Sequence, residues 1–285
     1  MGGPSEEREV SLKSGAAVAE ALRQGGYDVA AIDVTARRLD IPVGIDAVFI
    51  ALHGAYGEDG GVQEELTRRA IPYTGPGPEA SRIAFDKELT KQLARQHGIP
   101  TADYEVLRRG DQRRMAPPLV VKPARQGSSI GVHPVFSEAE WPDAFADALR
   151  HDDKVLAEAY IAGREFTVGV LDERILPIVE IVVANGWYDY ETKYVRGADR
   201  YLVPAPLSEA QAAELRQWAR RTYDAAGCRG MSRIDFRMTD EARLYLLEIN
   251  TIPGFTETSL LPKAAAQDGL TFEALCERIV SRATV

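Results

Sequence analysis

Apolar residues along the chain alternate between two spacings, and each change marks an element. Leu12, Ala16, Ala19 and Leu22 recur near helical spacing and Gly25-Gly26 supplies a stop, which predicts a helix from Ser11 to Arg23. Val29 to Val34 and Ala47 to Leu52 have the short apolar pattern of strands, the second running into His53-Gly54, and Val62 to Ala70 has that of a helix. Strand, helix and strand in this order predict a parallel sheet whose ligand side lies beyond the carboxyl ends of the strands. His53 and the Gly57 to Gly61 loop fall there. The turn-rich Gly75-Pro76-Gly77-Pro78 places a domain boundary near residue 78.

Beyond it the pattern predicts a helix from Ala84 to Gln96 and a strand from Leu119 to Lys122. The small-residue loop Gln126 to Gly131 then leads into Val132 to Val135, giving the strand, loop, strand shape of a flap. A helix from Ser137 to Arg150 and a strand from Val155 to Glu158 follow, then an antiparallel pair, Glu165 to Leu171 with Ile175 to Val183. Asn185 to Tyr201 is too rich in Gly, Asp and Tyr for a core element, and its length suggests a functional lid. A helix from Glu209 to Ala226, strands Arg233 to Met238 and Arg243 to Ile249, and a helix from Phe272 to Ser281 complete the chain.

Composition narrows the class. At 285 residues, 45% hydrophobic and 27% charged, the chain is globular and long enough for two or three domains. A formal net charge of −9 argues against a broad basic surface for nucleic acid, yet allows a local basic pocket for one nucleotide. Cys228 and Cys276 form neither a disulfide framework nor a Cys-x-x-Cys metal site, which suits a reducing cytosol. No apolar run approaches the length of a bilayer span, and the first residues lack the apolar stretch of a signal peptide. A cytoplasmic protein with no membrane partner is expected.

Candidate chemistry is densest near the C-terminus. Alternation puts Glu248 and Asn250 on one face of a strand, and a hairpin would bring Asp235 beside them. Hard oxygen donors of this kind, completed by water and phosphate, are what Mg2+ takes in a nucleotide site. A Glu-x-Asn alone is also what a solvated sheet face shows; Asp235 and the Pro253-Gly254 turn favour the metal. Lys122 closes an apolar strand and needs an anion, which a phosphate would supply, and Lys87 opens a helix segment nearby in the pattern. The Gly127 to Gly131 loop offers N–H groups and the hydroxyls of Ser128 and Ser129 as a cover over polyphosphate, although such a string is also a plain turn. Glu158, Ala159, Tyr160 and Ile161 end a strand before Glu165, which suits a nucleotide linker or simply a strand. Glu6 and Glu9 are explained by helix capping, and His53 by a satisfied histidine at a sheet edge.

In order and spacing these pieces resemble the D-alanine–D-alanine ligases of the ATP-grasp superfamily along nearly all of the chain. The resemblance rests on Ser5 to Ser11, Phe49 to Gly54 with Gly57-Glu58-Asp59-Gly60, Pro72 to Gly75, Val120 to Pro123 with Gly127 to Gly131, Tyr188 to Tyr194, and Glu248 to Thr256. It implies an α/β fold in which an N-terminal parallel, Rossmann-like pre-ATP-grasp domain, residues 1–78, precedes a two-lobed α+β ATP-grasp domain, residues 79–164 and 165–285.

The activity implied is ATP-dependent joining of two D-alanines through an acyl phosphate. By position, Lys87, Lys122, Ser128, Ser129, Glu158, Ala159, Tyr160, Ile161, Glu165 and Lys193 would contact the nucleotide, and Asp235, Glu248 and Asn250 would hold two Mg2+ ions, with Mn2+ as the alternative. Glu7 and His53 would lie beside the first D-alanine, Glu7 taking its ammonium. Arg233 and the Gly254 backbone would stabilise the oxyanion, and Ser259 and Leu260 would hold the second carboxylate. Ser128, Lys193 and Tyr194 would belong to the closing parts, and Tyr194 favours a dipeptide over an ester product. A homodimer is implied as well.

The chain departs from the family at Gln126, where many relatives have Glu, and at Tyr160, where many have Trp. Relatives also begin with an apolar strand before the Gly-Gly turn, whereas this sequence opens on Met1-Gly2-Gly3. Its lack would expose two neighbouring strands and loosen the loop around Glu7, unless the start is misassigned or another segment or a partner subunit repairs the sheet, and reduced activity is expected. Two alternatives stay open: a related ligase joining other amino acids, and an inactive ATP-binding homologue.

Overall fold

The computed structural model describes residues 1–182 and 200–285. Four helices come first: α1 (Arg8–Gln24), α2 (Gly61–Arg68), α3 (Pro78–Phe85) and α4 (Lys87–Gln96). The continuous helix expected from Ala84 to Gln96 is broken at Asp86. That residue has an extended backbone, and its carboxylate accepts from the N–H groups of Glu88 at 3.0 Å and Leu89 at 3.4 Å. A capping aspartate so ends one helix and starts the next.

The N-terminal part differs most from expectation. Val29 to Val34 and Ala47 to Leu52 do not form strands; among the described residues this part carries only isolated bridges, Gly2 to Val34 and Val48 to Tyr73 in parallel and Tyr73 to Thr284 antiparallel. No backbone hydrogen bond among the described residues joins the two extended segments. Between them lies a mostly apolar cavity of about 490 Å³, bordered by Met1, Val18, Ile32, Val34 and Ile50. A strand forms only where a neighbour takes its backbone groups, so these apolar runs stay extended without becoming a ladder.

The loop before α1 is nonetheless tied down. Gly3 N–H donates to Val34 O at 2.6 Å, Ser5 Oγ to His53 O at 2.7 Å, and Arg8 pairs with Asp33 at 2.7 Å. Gly2 and Gly3 have φ of +83° and +96°, a left-handed conformation that disfavours any side chain. Gly15 lets Met1 lie across α1, since an added Cβ would sit 2.3 Å from the Met1 Cβ.

Two antiparallel sheets form the rest. The first contains β1 (Tyr104–Leu107), β2 (Leu119–Pro123), β3 (His133–Val135) and, after α5 (Trp141–His151), β4 (Val155–Ala159), in the order β1-β4-β2-β3. Val120 pairs with Glu158 and Lys122 with Leu156. Leu119, Val121, Val155 and Ala157 therefore face one way, into a core with Ala144 and Ala148 of α5, while Val120, Lys122 and Glu158 face the other.

The second sheet contains β5 (Arg164–Leu171), β6 (Arg174–Ile175), β7 (Val179–Val182), β8 (Arg200–Leu202) and, after α6 (Glu209–Ala225), β9 (Met231–Met238) and β10 (Leu244–Asn250). Among the described residues its order is β10-β9-β5-β7-β8, with β6 on β5. The strand expected from Ile175 to Val183 is thus divided into β6 and β7. Phe166, Val168, Ile234, Phe236 and Met238 bury one face against Leu215 and Ala219 of α6. The opposite face carries Glu165, Thr167, Arg233, Asp235 and Arg237.

Helices α7 (Leu260–Gln267) and α8 (Phe272–Val280) close the chain, and Leu275, Cys276 and Ile279 share a core with Val18, Ala21 and Leu22 of α1. Of the expected lid, Arg200 and Tyr201 fall in β8, and the residues up to 199 that include Lys193 and Tyr194 lie outside the described residues. No helix among the described residues is long and apolar enough to cross a membrane.

Candidate functional site

The polar faces of the two sheets meet across one cleft. From the first sheet and its loops come Lys122, Ser129, Glu158, Ala159, Tyr160 and Ile161, and from the start of α4 comes Lys87. The second sheet supplies Glu165, Arg233, Asp235 and Glu248. Residues from α4, β2, the flap loop, β4, β5, β9 and β10 are so brought together.

Glu158 is the most constrained group. Its carboxylate is buried between Lys122 Nζ, 2.5 Å from Oε1, and Lys91 Nζ, 2.8 Å from Oε2. Burial alone would push this carboxyl up, but the two ammonium groups overcome it and hold it at about 2. Lys87 Nζ donates to Gln126 O at 2.6 Å and stands 3.5 Å from Glu248 Oε2, so it ties the flap to β10. Ala159 N–H is committed to Asp103 O and Tyr160 N–H to Pro118 O, so neither can serve a base. Ile161 N–H has no backbone partner among the described residues. Tyr160 packs edge-on against Phe136, ring centres 5.1 Å apart.

On the opposite wall, register places Glu248 beside Asp235 and Asn250 beside Arg233. A bulge between Leu246 and Glu248 shifts the pairing just before the site. Asp235 accepts from Arg233 at 2.8 Å and 3.0 Å, from Thr167 Oγ1 at 2.5 Å and from Asn250 Nδ2 at 3.0 Å. Two carboxylates and an amide oxygen are hard donors, the set Mg2+ prefers, so the residues present suit that ion.

Glu7 caps α1 at one end of the cleft and is 7% exposed. Its Oε1 accepts from Ser128 Oγ, while Oε2 has no hydrogen-bond partner among the described residues. Gly127 and Gly54 pack so closely that a Cβ on either would lie 2.7 Å or 2.8 Å from that Oε2. Ser128 and Ser129 have φ of +50° and +58°, backbone strain of about 1–3 kcal/mol each that concentrates at functional loops.

Ser5 links His53 to Glu7: its Oγ donates to His53 O at 2.7 Å and accepts from Glu7 N–H at 3.3 Å. The His53 ring is held in the core, Nδ1 2.9 Å from Ile252 O and Nε2 3.0 Å from Ser14 Oγ. Facing a carbonyl, Nδ1 carries the proton, which leaves Nε2 to accept from Ser14. Gly254 follows β10, 3.5 Å from Ser259 Oγ if given a Cβ. Ser259 caps α7 in a turn where its Oγ accepts from Thr256 N–H at 3.0 Å. The Leu260 side chain is buried in the core, so only its backbone can meet a carboxylate.

Sequence reasoning missed two cations. Arg237 lines the cleft and pairs with Glu165 at 3.1 Å. The alternation Arg233, Asp235, Arg237 on β9 would have revealed it. Lys91 left no comparable signal, because its partner lies far along the chain.

Two sheets closing on a cleft, with lysines on one wall and carboxylates interleaved with arginines on the other, define the ATP-grasp class. A family model described as D-ala D-ala ligase C-terminus matches residues 93–281. A D-alanine–D-alanine ligase of Syntrophotalea carbinolica is 50% identical over 291 aligned residues, covering 100% of this chain and 95% of that protein. One from Methylacidiphilum infernorum is 45% identical, with 98% and 92% covered. The crystal structure of the Bacillus anthracis D-alanine–D-alanine ligase complexed with ATP matches with a TM-score of 0.85 at 30% identity, covering 99% of this chain and 94% of that one. The chain belongs to the D-alanine–D-alanine ligase family.

Proposed function

We propose that the chain joins two D-alanines with ATP, binding the nucleotide between the two sheets and the amino acids between Glu7 and the start of α7. One observation carries this reading: lysines and carboxylates share a cleft lined by Gly127, which packs against the buried Glu7 Oε2, an oxygen with no hydrogen-bond partner among the described residues and suited to an ammonium group.

Lys87 and Lys122 offset the charge of a triphosphate, and the Ser128-Ser129 flap covers it. The carboxylate oxygen of the first D-alanine attacks the γ-phosphorus and ADP leaves, giving an acyl phosphate. The amine of the second D-alanine attacks the acyl carbon, phosphate departs, and the amine proton goes to solvent or phosphate. Arg233 and the Gly254 backbone face the oxyanion, and Ser259 with the Leu260 N–H receives the second carboxylate at a helix start. Asp235, Glu248 and Asn250 would hold Mg2+, which when bound neutralises phosphate charge. Exclusion of water by the flap protects the acyl phosphate.

The product is a peptidoglycan precursor, and the chain acts as a cytosolic homodimer divided near residues 78 and 164, as the family resemblance implies. Phosphate release with ATP, Mg2+ and D-alanine tests the reaction against L-alanine and D-lactate controls. Release should require D-alanine; release driven equally by the controls would overturn the assignment.

A further inference from the structure

We propose that Lys91 is a positioning residue for nucleotide binding, whose charge keeps Glu158 from neutralising Lys122. The inference rests on reading the cleft as the nucleotide site. Lys91 sits on α4, is 1% exposed and does not line the cleft, so it has no direct access to a ligand. Its ammonium is nevertheless fully committed. It lies 2.8 Å from Glu158 Oε2, donates to Thr101 Oγ1 at 2.8 Å and to Ala102 O at 3.3 Å, and stands 5.3 Å from the centre of the Tyr104 ring.

A lysine is costly to bury unless it is paired, so such a placement calls for a reason beyond packing. Charge arithmetic supplies one. Lys91 takes one oxygen of Glu158 and Lys122 takes the other, so the triad keeps one net positive charge, and the member that lines the cleft is Lys122. Without Lys91 both oxygens of Glu158 would turn to Lys122. The pair would then be neutral and its ammonium drawn away from a phosphate. Lys91 also links the two walls: Thr101 Oγ1, which accepts from Lys91, donates to Leu246 O at 3.2 Å on β10, the strand that carries Glu248.

A double-mutant cycle on the full-length protein tests this, with ATP and inorganic tripolyphosphate as calorimetric probes and circular dichroism as the folding control. Lys91→Met should weaken binding of both probes about tenfold or more, with kcat at saturating ATP changed far less than KM. In a Glu158→Gln background, where Lys122 faces no carboxylate, the same substitution should have almost no effect on tripolyphosphate binding. Equal losses in the two backgrounds would overturn the proposal, as would a folded Lys91→Met protein that binds both probes normally. Should Lys91→Met not fold alone, the double variant is compared with Glu158→Gln, and any further loss of affinity there overturns it. Wild-type protein that binds neither probe would sink the nucleotide reading together with this inference.

Discussion

The two ends of the proposed reaction are held by different means. Most nucleotide-side groups project from sheet strands, β4 laddered to both β1 and β2, β9 to both β5 and β10, and β10 to β9. Amino-acid-side groups rest on helix ends and single side-chain bonds: Glu7 on the cap of α1, His53 between Ser14 and Ile252, and Ser259 on the cap of α7. The neighbouring extended segments share no ladder and border a cavity of about 490 Å³. Backbone ladders position a side chain through many cooperative bonds, whereas a capped loop depends on a few, each with a large share of the total. The nucleotide half should therefore fail chemically when a side chain is cut, and the amino-acid half structurally.

The largest effect should come from Glu248→Ala. It removes a proposed metal-binding carboxylate from β10, so turnover should fall about a hundredfold or more while the melting temperature barely moves. Near-normal rates would remove Glu248 from the site. On the other side, an apolar, β-branched extension of about five residues placed before Met1 should fill the cavity and pair with the extended segments that border it. A gain of about 2–5 kcal/mol is expected, visible as a rise in melting temperature, with better D-alanine saturation. An unchanged melting temperature would mean that the cavity is not a strand-shaped gap.

Ser14→Ala is a smaller cut in the same half. Ser14 Oγ donates to His53 Nε2 and accepts from Phe255 N–H at 3.1 Å, so its loss removes a partner from two buried groups. Denaturant unfolding should report a loss of about 1–3 kcal/mol; a neutral result would mean that water replaces the hydroxyl.

The most modest separation is in pH dependence, where the halves carry opposite signs. Glu158, held at about 2 by its lysines against its burial, binds fewer protons folded than unfolded. Its contribution is complete above the ordinary carboxyl value and is lost as pH falls through that value toward about 2. Glu58, raised first by burial and then by the charge of Glu7, holds its proton longer when folded. Its contribution is present at low pH and drains away as pH rises from the ordinary value through the raised one. Glu58→Gln should flatten the decline of melting temperature as pH rises above the ordinary carboxyl value, and Glu158→Gln the decline on the acid side. Identical pH profiles for the two variants would erase the distinction.

What could be read in advance follows the same division. Arg233-Ile234-Asp235 and Glu248-Ile249-Asn250 were legible because alternation along a strand is a local rule, and an antiparallel turn between them admits few registers. The same rule extends to Arg237, which went unread only for want of applying it one residue pair further. The break at Asp86 was hidden because the apolar spacing of α3 and α4 runs through it, and only the backbone shows the cap. The short helix α7 carries Pro262 and follows a turn, so its apolar residues gave no periodic signal.

The sequence by itself determined the class of fold, the family and the chemical types in the cleft, because periodicity, turn residues and short motifs act over a few neighbouring positions. Tertiary structure alone decided that Val29 to Val34 and Ala47 to Leu52 stay unladdered, since strand formation depends on what lies alongside. It alone decided that Lys91 shares Glu158 with Lys122. A buried charge is settled by the partners packed around it, and those come from segments whose separation along the chain says nothing of their distance in space.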